Sequence, residues 1–148
     1  MLLDDLHELV SGAYELEEWH VDGAVLRPPQ VVGRFVLVSG TVTTVFHNRA
    51  HAEKQITAVL LGKYVLDKTA FAYGYHDTSI FTETPSELSV SHKPLWDGMR
   101  SFAASMTPPG AVQFSSENGQ QGFTITLAGI TYSENGQTLR VWRRMAEK

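Results

Sequence analysis

The chain is cut into short β-branched and aromatic runs by turn residues at intervals of about eight to twelve residues, which restricts it to a sandwich or a barrel. The turn signals are Asp22-Gly23, Pro28-Pro29, Ser39-Gly40, Asp67-Lys68, Pro85, Pro94, Pro108-Pro109-Gly110, Asn118-Gly119 and Asn135-Gly136. The runs between them predict strands at 13–21, 31–38, 41–47, 63–66, 70–76, 78–82, 88–93, 99–106, 111–116, 122–128 and 137–145. Two segments carry helical spacing instead. Leu2, Leu3, Leu6, Leu9 and Val10 predict a short amphipathic helix over 2–10, packed across one end. Asn48 as N-cap, the stripe Ile56, Val59 and Leu60, and Gly62 as stop predict an internal helix over 49–61.

An open sheet of many short strands has two edges, and pairing the first strand with the last removes both. Gly12-Ala13-Tyr14 near the start and Leu139-Arg140-Val141-Trp142-Arg143-Arg144 near the end suit that closure. Arg140 or Arg143 lying across Tyr14 would then plug the narrow end. The expected fold is all-β: a closed antiparallel β-barrel of about 8–10 strands with a short N-terminal helix and one internal helix near 49–61.

The 148 residues are enough for one hydrophobic core and read as a single domain over 1–148. The absence of cysteine excludes disulfide frameworks, thiolate zinc sites and cysteine nucleophiles. A net charge of −4 gives no footprint for nucleic acid, and the nearest basic group is Arg140, Arg143, Arg144 and Lys148 on one terminal strand. No run approaches the roughly 18–20 apolar residues of a membrane span. The first residues carry Asp4, Asp5 and Glu8 where a secretory signal would carry basic ones. These readings predict a cytoplasmic protein that binds neither nucleic acid nor membrane. A homodimer is the assembly expected on general grounds.

Four segments, in order along the chain, resemble one family. Gly12-Ala13-Tyr14-Glu15-Leu16, Val32-Gly33-Arg34-Phe35-Val36-Leu37, Gly62-Lys63-Tyr64-Val65-Leu66-Asp67 and Leu139-Arg140-Val141-Trp142-Arg143 are similar to segments of the lipocalin-like domain family, small relatives of the calycin barrels. His92, Pro94, Trp96 and Gly98 resemble a loosely spaced block of the same family. Tyr14 departs from the pattern, since tryptophan is more usual there. The resemblance implies the barrel and little about chemistry, because a fold does not fix an activity.

Strict alternation from Tyr14 puts Leu16, Glu18 and His20 on its face. An inward Tyr14 would bring Glu18 and His20 into the lumen, where they could act as an acid–base pair; a strand that leaves the barrel near Glu18 would instead leave both side chains in water. In the aromatic run, Phe71, Tyr73 and Tyr75 share one face, and Ala70, Ala72, Gly74 and His76 share the other. Either face could be the inner one. Of the six histidines, His47, His76 and His92 fall near strand ends, where barrel mouths gather binding groups. Zinc accepts three imidazoles, but no zinc spacing is present, and His47 and His51 lack the glutamate of a helical zinc motif. No metal site is expected. Gly119-Gln120-Gln121-Gly122 lacks the context of a phosphate loop, and no Gly-x-Ser-x-Gly elbow occurs. No cofactor is expected either.

The first expectation is a barrel that binds a small apolar or aromatic molecule, with Arg34, Phe35, Tyr73, Tyr75, Phe102 and Phe123 as its lining. The alternative is a cofactor-free enzyme of isomerase, cyclase or lyase type. There Glu18 or His20 would be the base, His76 or His92 the acid, and Tyr73 or Arg34 the group polarising a carbonyl. A third reading is an interaction module whose lumen is filled by its own side chains. Cavity size separates the third from the others, and cavity polarity separates the first two.

Overall fold

The computed structural model describes residues 3–107 and 110–145. Leu2 of the expected helix, the Pro108-Pro109 turn and Lys148 of the basic group lie outside them. The described residues form one helix, α1 (Leu3–Val10), and then β1 (Gly12–Val21), β2 (Ala24–Leu26), β3 (Val31–Val38), β4 (Thr41–Asn48), β5 (Gln55–Leu66) and β6 (Ala70–Glu83). β7 (Leu88–Ser91), β8 (Arg100–Thr107), β9 (Ala111–Ser115), β10 (Gln121–Ile125), β11 (Gly129–Glu134) and β12 (Gln137–Arg144) follow. Ten strands close an antiparallel ring in the order β1, β3, β4, β5, β6, β8, β9, β10, β11 and β12, which pairs back onto β1. β2 and β7 hang from β1 and β6 outside that ring. The meander is set locally. Asp22-Gly23, Ser39-Gly40 and Asn135-Gly136 all place both residues at positive φ, the backbone twist that two-residue hairpins need.

Closure uses the two ends, with one correction. Across β1 and β12, Tyr14 faces Arg144 and Leu16 faces Trp142. The guanidinium over the Tyr14 ring is that of Arg144, 4.8 Å from the centroid, and not that of Arg140 or Arg143. Neighbouring residues of a strand face opposite sides, so Arg143 turns outward to Glu15 at 3.1 Å. Arg144 also donates to the carbonyls of Leu9, Ser11 (3.0 Å), Leu127 (3.1 Å) and Thr126 (3.3 Å). It thereby ties the C-terminal end of α1, where a cation is favoured, to the β10–β11 turn. The Tyr14 hydroxyl donates to the Val10 carbonyl at 2.6 Å, and Leu6, Leu9 and Val10 are buried against this end of the barrel. Leu37, Val42, Tyr64, Leu66, Phe71, Val112, Phe114, Ile125 and Ile130 complete a solid core there. Burial of each of these side chains contributes roughly 1.5–3 kcal/mol of transfer free energy.

Residues 49–61 do not form the expected internal helix. Asn48 ends β4, its side chain accepts from the Ala50 amide at 3.1 Å, and a turn leads into β5. The cap-like bond is present, but it closes a turn. Ile56, Val59 and Leu60 fit a helical stripe, yet Ala58, Leu60, Tyr64 and Leu66 are buried at a period of two. β5 also pairs along its length with β4 on one side and β6 on the other. Two ladders outweigh local spacing, which in a short apolar run does not distinguish helix from strand. The segments 63–66 and 70–76 plus 78–82 are accordingly parts of two long strands, β5 and β6.

Two irregularities decide what faces inward. The β1–β12 register passes from Leu16↔Trp142 to Glu18↔Val141, leaving Glu17 as the extra residue of a β-bulge. In the β5–β6 ladder, Leu61↔Asp77 is followed by Gly62↔Tyr75, so His76 is the extra residue there. The barrel wall also has a seam. β6 meets β8 only through Ala70–Tyr73, and β7 only through Ile80–Glu83. Residues 92–99 cover the stretch between. There Gly98 lies so close to Gly74 that a Cβ on Gly74 would overlap the Gly98 carbonyl.

Candidate functional site

Above the packed floor the barrel holds a cavity of about 330 Å³. Its inner strand positions supply Leu16 and Trp19 from β1, Phe35 from β3, Thr44 and Phe46 from β4, Leu60 from β5, and Tyr73 and Tyr75 from β6. Arg100 of β8, Phe123 of β10, Tyr132 and Glu134 of β11, and Arg140 and Trp142 of β12 complete the ring of side chains. Leu95 and Trp96 reach it from the seam. The rings form one connected array: Tyr73 stacks on Phe102 at 6.0 Å, Phe102 meets Phe123 edge-on at 5.0 Å, and Phe123 lies 4.8 Å from Tyr132. Trp96 packs on both Tyr73 and Tyr75 at 5.4 Å, and its indole N–H is buried without an acceptor among the described residues. Such pairs add about 0.5–1.5 kcal/mol each beyond area burial.

A few polar groups interrupt this lining. Tyr75 and Thr44 share a hydroxyl–hydroxyl hydrogen bond of 2.7 Å, and the Tyr132 hydroxyl donates to Glu134 Oε1 at 2.7 Å. Burial pushes the Tyr73 phenol up to about 12, against the opposing fields of Arg140 and Arg100. Burial also raises Tyr75, with the neighbouring Tyr73 adding to it, and raises Tyr132, with Glu134 adding to it. These phenols therefore stay protonated, as neutral donors, throughout the physiological range. Arg100 lies 4.2 Å over the Trp96 ring, and Arg140 lies 4.9 Å over Tyr132 and 5.9 Å from Trp19.

Of the lining expected from sequence, Phe35, Tyr73, Tyr75 and Phe123 meet at this cavity, and Phe102 is buried behind Tyr73. Arg34 does not join them. It follows Gly33 and precedes Phe35 on β3, so the inward Phe35 sends Arg34 to the exposed outer face. Glu18 and His20 are also displaced from the lumen. The bulge at Glu17 inverts the alternation, so that Trp19 takes the inner position. Outside, His20 Nε2 and Glu18 Oε1 are 2.9 Å apart, and Arg27 donates to Glu18 Oε2 at 3.1 Å. The His20 hydrogen bond, with Arg27 second, holds the Glu18 carboxyl below its usual value.

His76 is exposed at the second bulge, 3.6 Å from Asp77. His92 is exposed beside β6, with Nδ1–H donating to the Thr78 carbonyl at 3.1 Å. The four acid–base candidates thus lie outside the cavity. His47 bonds Thr57 at 2.9 Å, and no group of three or more His, Asp or Glu among the described residues is placed to hold a metal ion. Sequence reasoning missed Arg100, Trp19, Thr44 and Glu134, and it read Arg140 as floor. Alternation from Phe102 to Arg100 and from Trp142 to Arg140 was the available signal.

No protein-family model matches the chain, and no curated protein matches its sequence. Its class is defined by architecture: a closed ten-stranded antiparallel β-barrel, plugged at one end by a helix and lined by aromatic side chains. No helix among the described residues is long and apolar enough to cross a membrane.

Proposed function

We propose that this barrel is a lipocalin-like binding protein whose cavity takes a small apolar or aromatic molecule. The observation that carries the reading is the cavity of about 330 Å³ among Phe35, Tyr73, Tyr75, Phe123 and their neighbours. That volume stands at the lower end of the roughly 300–1,000 Å³ of ordinary ligand pockets. It argues against a lumen filled by its own side chains. The acid–base candidates Glu18, His20, His76 and His92 sit on outer surfaces, which favours a container over the enzymatic alternative.

Titration with the neutral fluorophore N-phenyl-1-naphthylamine tests this. Saturable one-to-one binding is expected in the wild-type protein. Leu60→Trp, which adds ring volume at a buried lining position, is expected to weaken it at least about tenfold. Absence of saturable binding to the wild type would overturn the proposal. Native mass spectrometry of freshly purified protein then identifies what the cavity carries.

A further inference from the structure

We infer that the molecule held in this cavity is an apolar monocarboxylate, its body among the rings and its single negative charge between Arg100 and Arg140. The inference rests on the binding reading above and concerns the chemistry of the ligand's head group.

The charged side chains lining the cavity are Arg100, Arg140 and Glu134. Two guanidinium groups against one carboxylate leave an excess of one positive charge. Neither arginine makes an ion pair among the described residues. Elsewhere on the barrel, Arg27 and Arg143 meet carboxylates and Arg144 meets carbonyls. Arg140 is half-buried in the wall and Arg100 is exposed at the mouth, and two guanidinium groups on one cavity without a counter-ion form a standing site for an anion.

The way these arginines are held adds specificity. The guanidinium carbon of Arg100 lies 4.2 Å from the centroid of the Trp96 ring and that of Arg140 4.9 Å from Tyr132. A cation over an aromatic ring keeps its N–H donors for a further partner, and the planar fork of a guanidinium matches the two oxygens of a carboxylate. Tyr73 lies within the fields of both arginines, and its protonated phenol is a third donor in the same region. Glu134 is already engaged by the Tyr132 hydroxyl and does not neutralise either guanidinium through a direct pair. A monoanion balances this excess of one positive charge, whereas a dianion exceeds it. The volume accommodates a compact one- or two-ring acid.

The test compares 2-naphthoate with its neutral isostere 2-naphthamide by isothermal titration calorimetry. With the wild-type protein the acid is expected to bind at least about tenfold more tightly than the amide, the margin of a charge-assisted hydrogen bond. Arg140→Gln and Arg100→Gln are each expected to cut that preference about tenfold, whereas Arg34→Gln on the outer face leaves it unchanged. The wild-type comparison needs no variant to fold. If the acid binds no better than the amide while N-phenyl-1-naphthylamine binds, the head-group inference fails and the binding function stands. If neither naphthalene compound nor the fluorophore binds, both fall. A preference that survives both arginine substitutions would also overturn the assignment.

Discussion

At the scale of single residues, one inserted glutamate changes the character of the chamber. With Glu17 bulged out, β1 presents Trp19 to the lumen and leaves Glu18 and His20 to a surface cluster with Arg27. A bulge is invisible to alternation, because it is fixed by the partner strand's register and not by the strand's own pattern. Arg34 needs no bulge to face outward: it adjoins the inward Phe35 on a regular strand, so plain alternation excludes it from the lining. Gly62 marks the other irregularity: a Cβ there would overlap the Gly74 carbonyl and stand 2.8 Å from the Tyr75 Cα, both backbone atoms that cannot rotate away. Gly62→Ala is expected to destabilise the protein by about 1–3 kcal/mol. Differential scanning calorimetry should show a fall in Tm of several degrees, at about 2–4 °C per kcal/mol for a chain of this size.

At the scale of elements, α1 is eight residues long and too short to be stable alone, so it depends on its docking. Arg144 supplies much of that docking by bonding carbonyls of Leu9 and Ser11 while covering Tyr14. Arg144→Gln is expected to cost about 2–3 kcal/mol in urea unfolding and to speed amide exchange throughout α1. The neighbouring Arg143→Gln removes only an exposed ion pair to Glu15 and is expected to cost roughly 0–1 kcal/mol. Equal effects would remove Arg144 from its anchoring role. The helix and most strands were legible because turn pairs and leucine spacing are local signals. The segment 49–61 was not, because its strand character comes from neighbours on both sides, β4 and β6, that the sequence does not place beside it.

At the scale of the whole molecule, burial of phenols couples stability to alkaline pH. Tyr14 and Tyr73 are each raised from 10.0 to about 12 in the folded protein, and burial raises Tyr75 and Tyr132 as well. Between the unfolded and folded values the unfolded chain has released protons that the folded chain still holds. Stability is therefore complete below about pH 10 and falls as pH rises towards 12. Urea midpoints taken from pH 9 upward should decline beyond pH 10, with tyrosinate absorbance appearing together with unfolding. Tyr14→Phe should start from a lower stability at pH 8 and decline less steeply. Closure of the ring was legible from its two ends, although the residue completing it proved to be the last arginine of the run. The cavity's charge balance was not legible, since Arg100, Glu134 and Arg140 come together only when three separate strands close.

The seam between β6 and β8 has a consequence for how such a chain can change. Within the paired strands of the ring, adding or deleting a residue shifts a ladder and turns inner side chains outward. Along residues 92–99 the wall is loop, so an insertion lengthens a cover and leaves the pairing of the ring in place. Variation in this one stretch can resize or reshape the chamber while the scaffold is inherited intact.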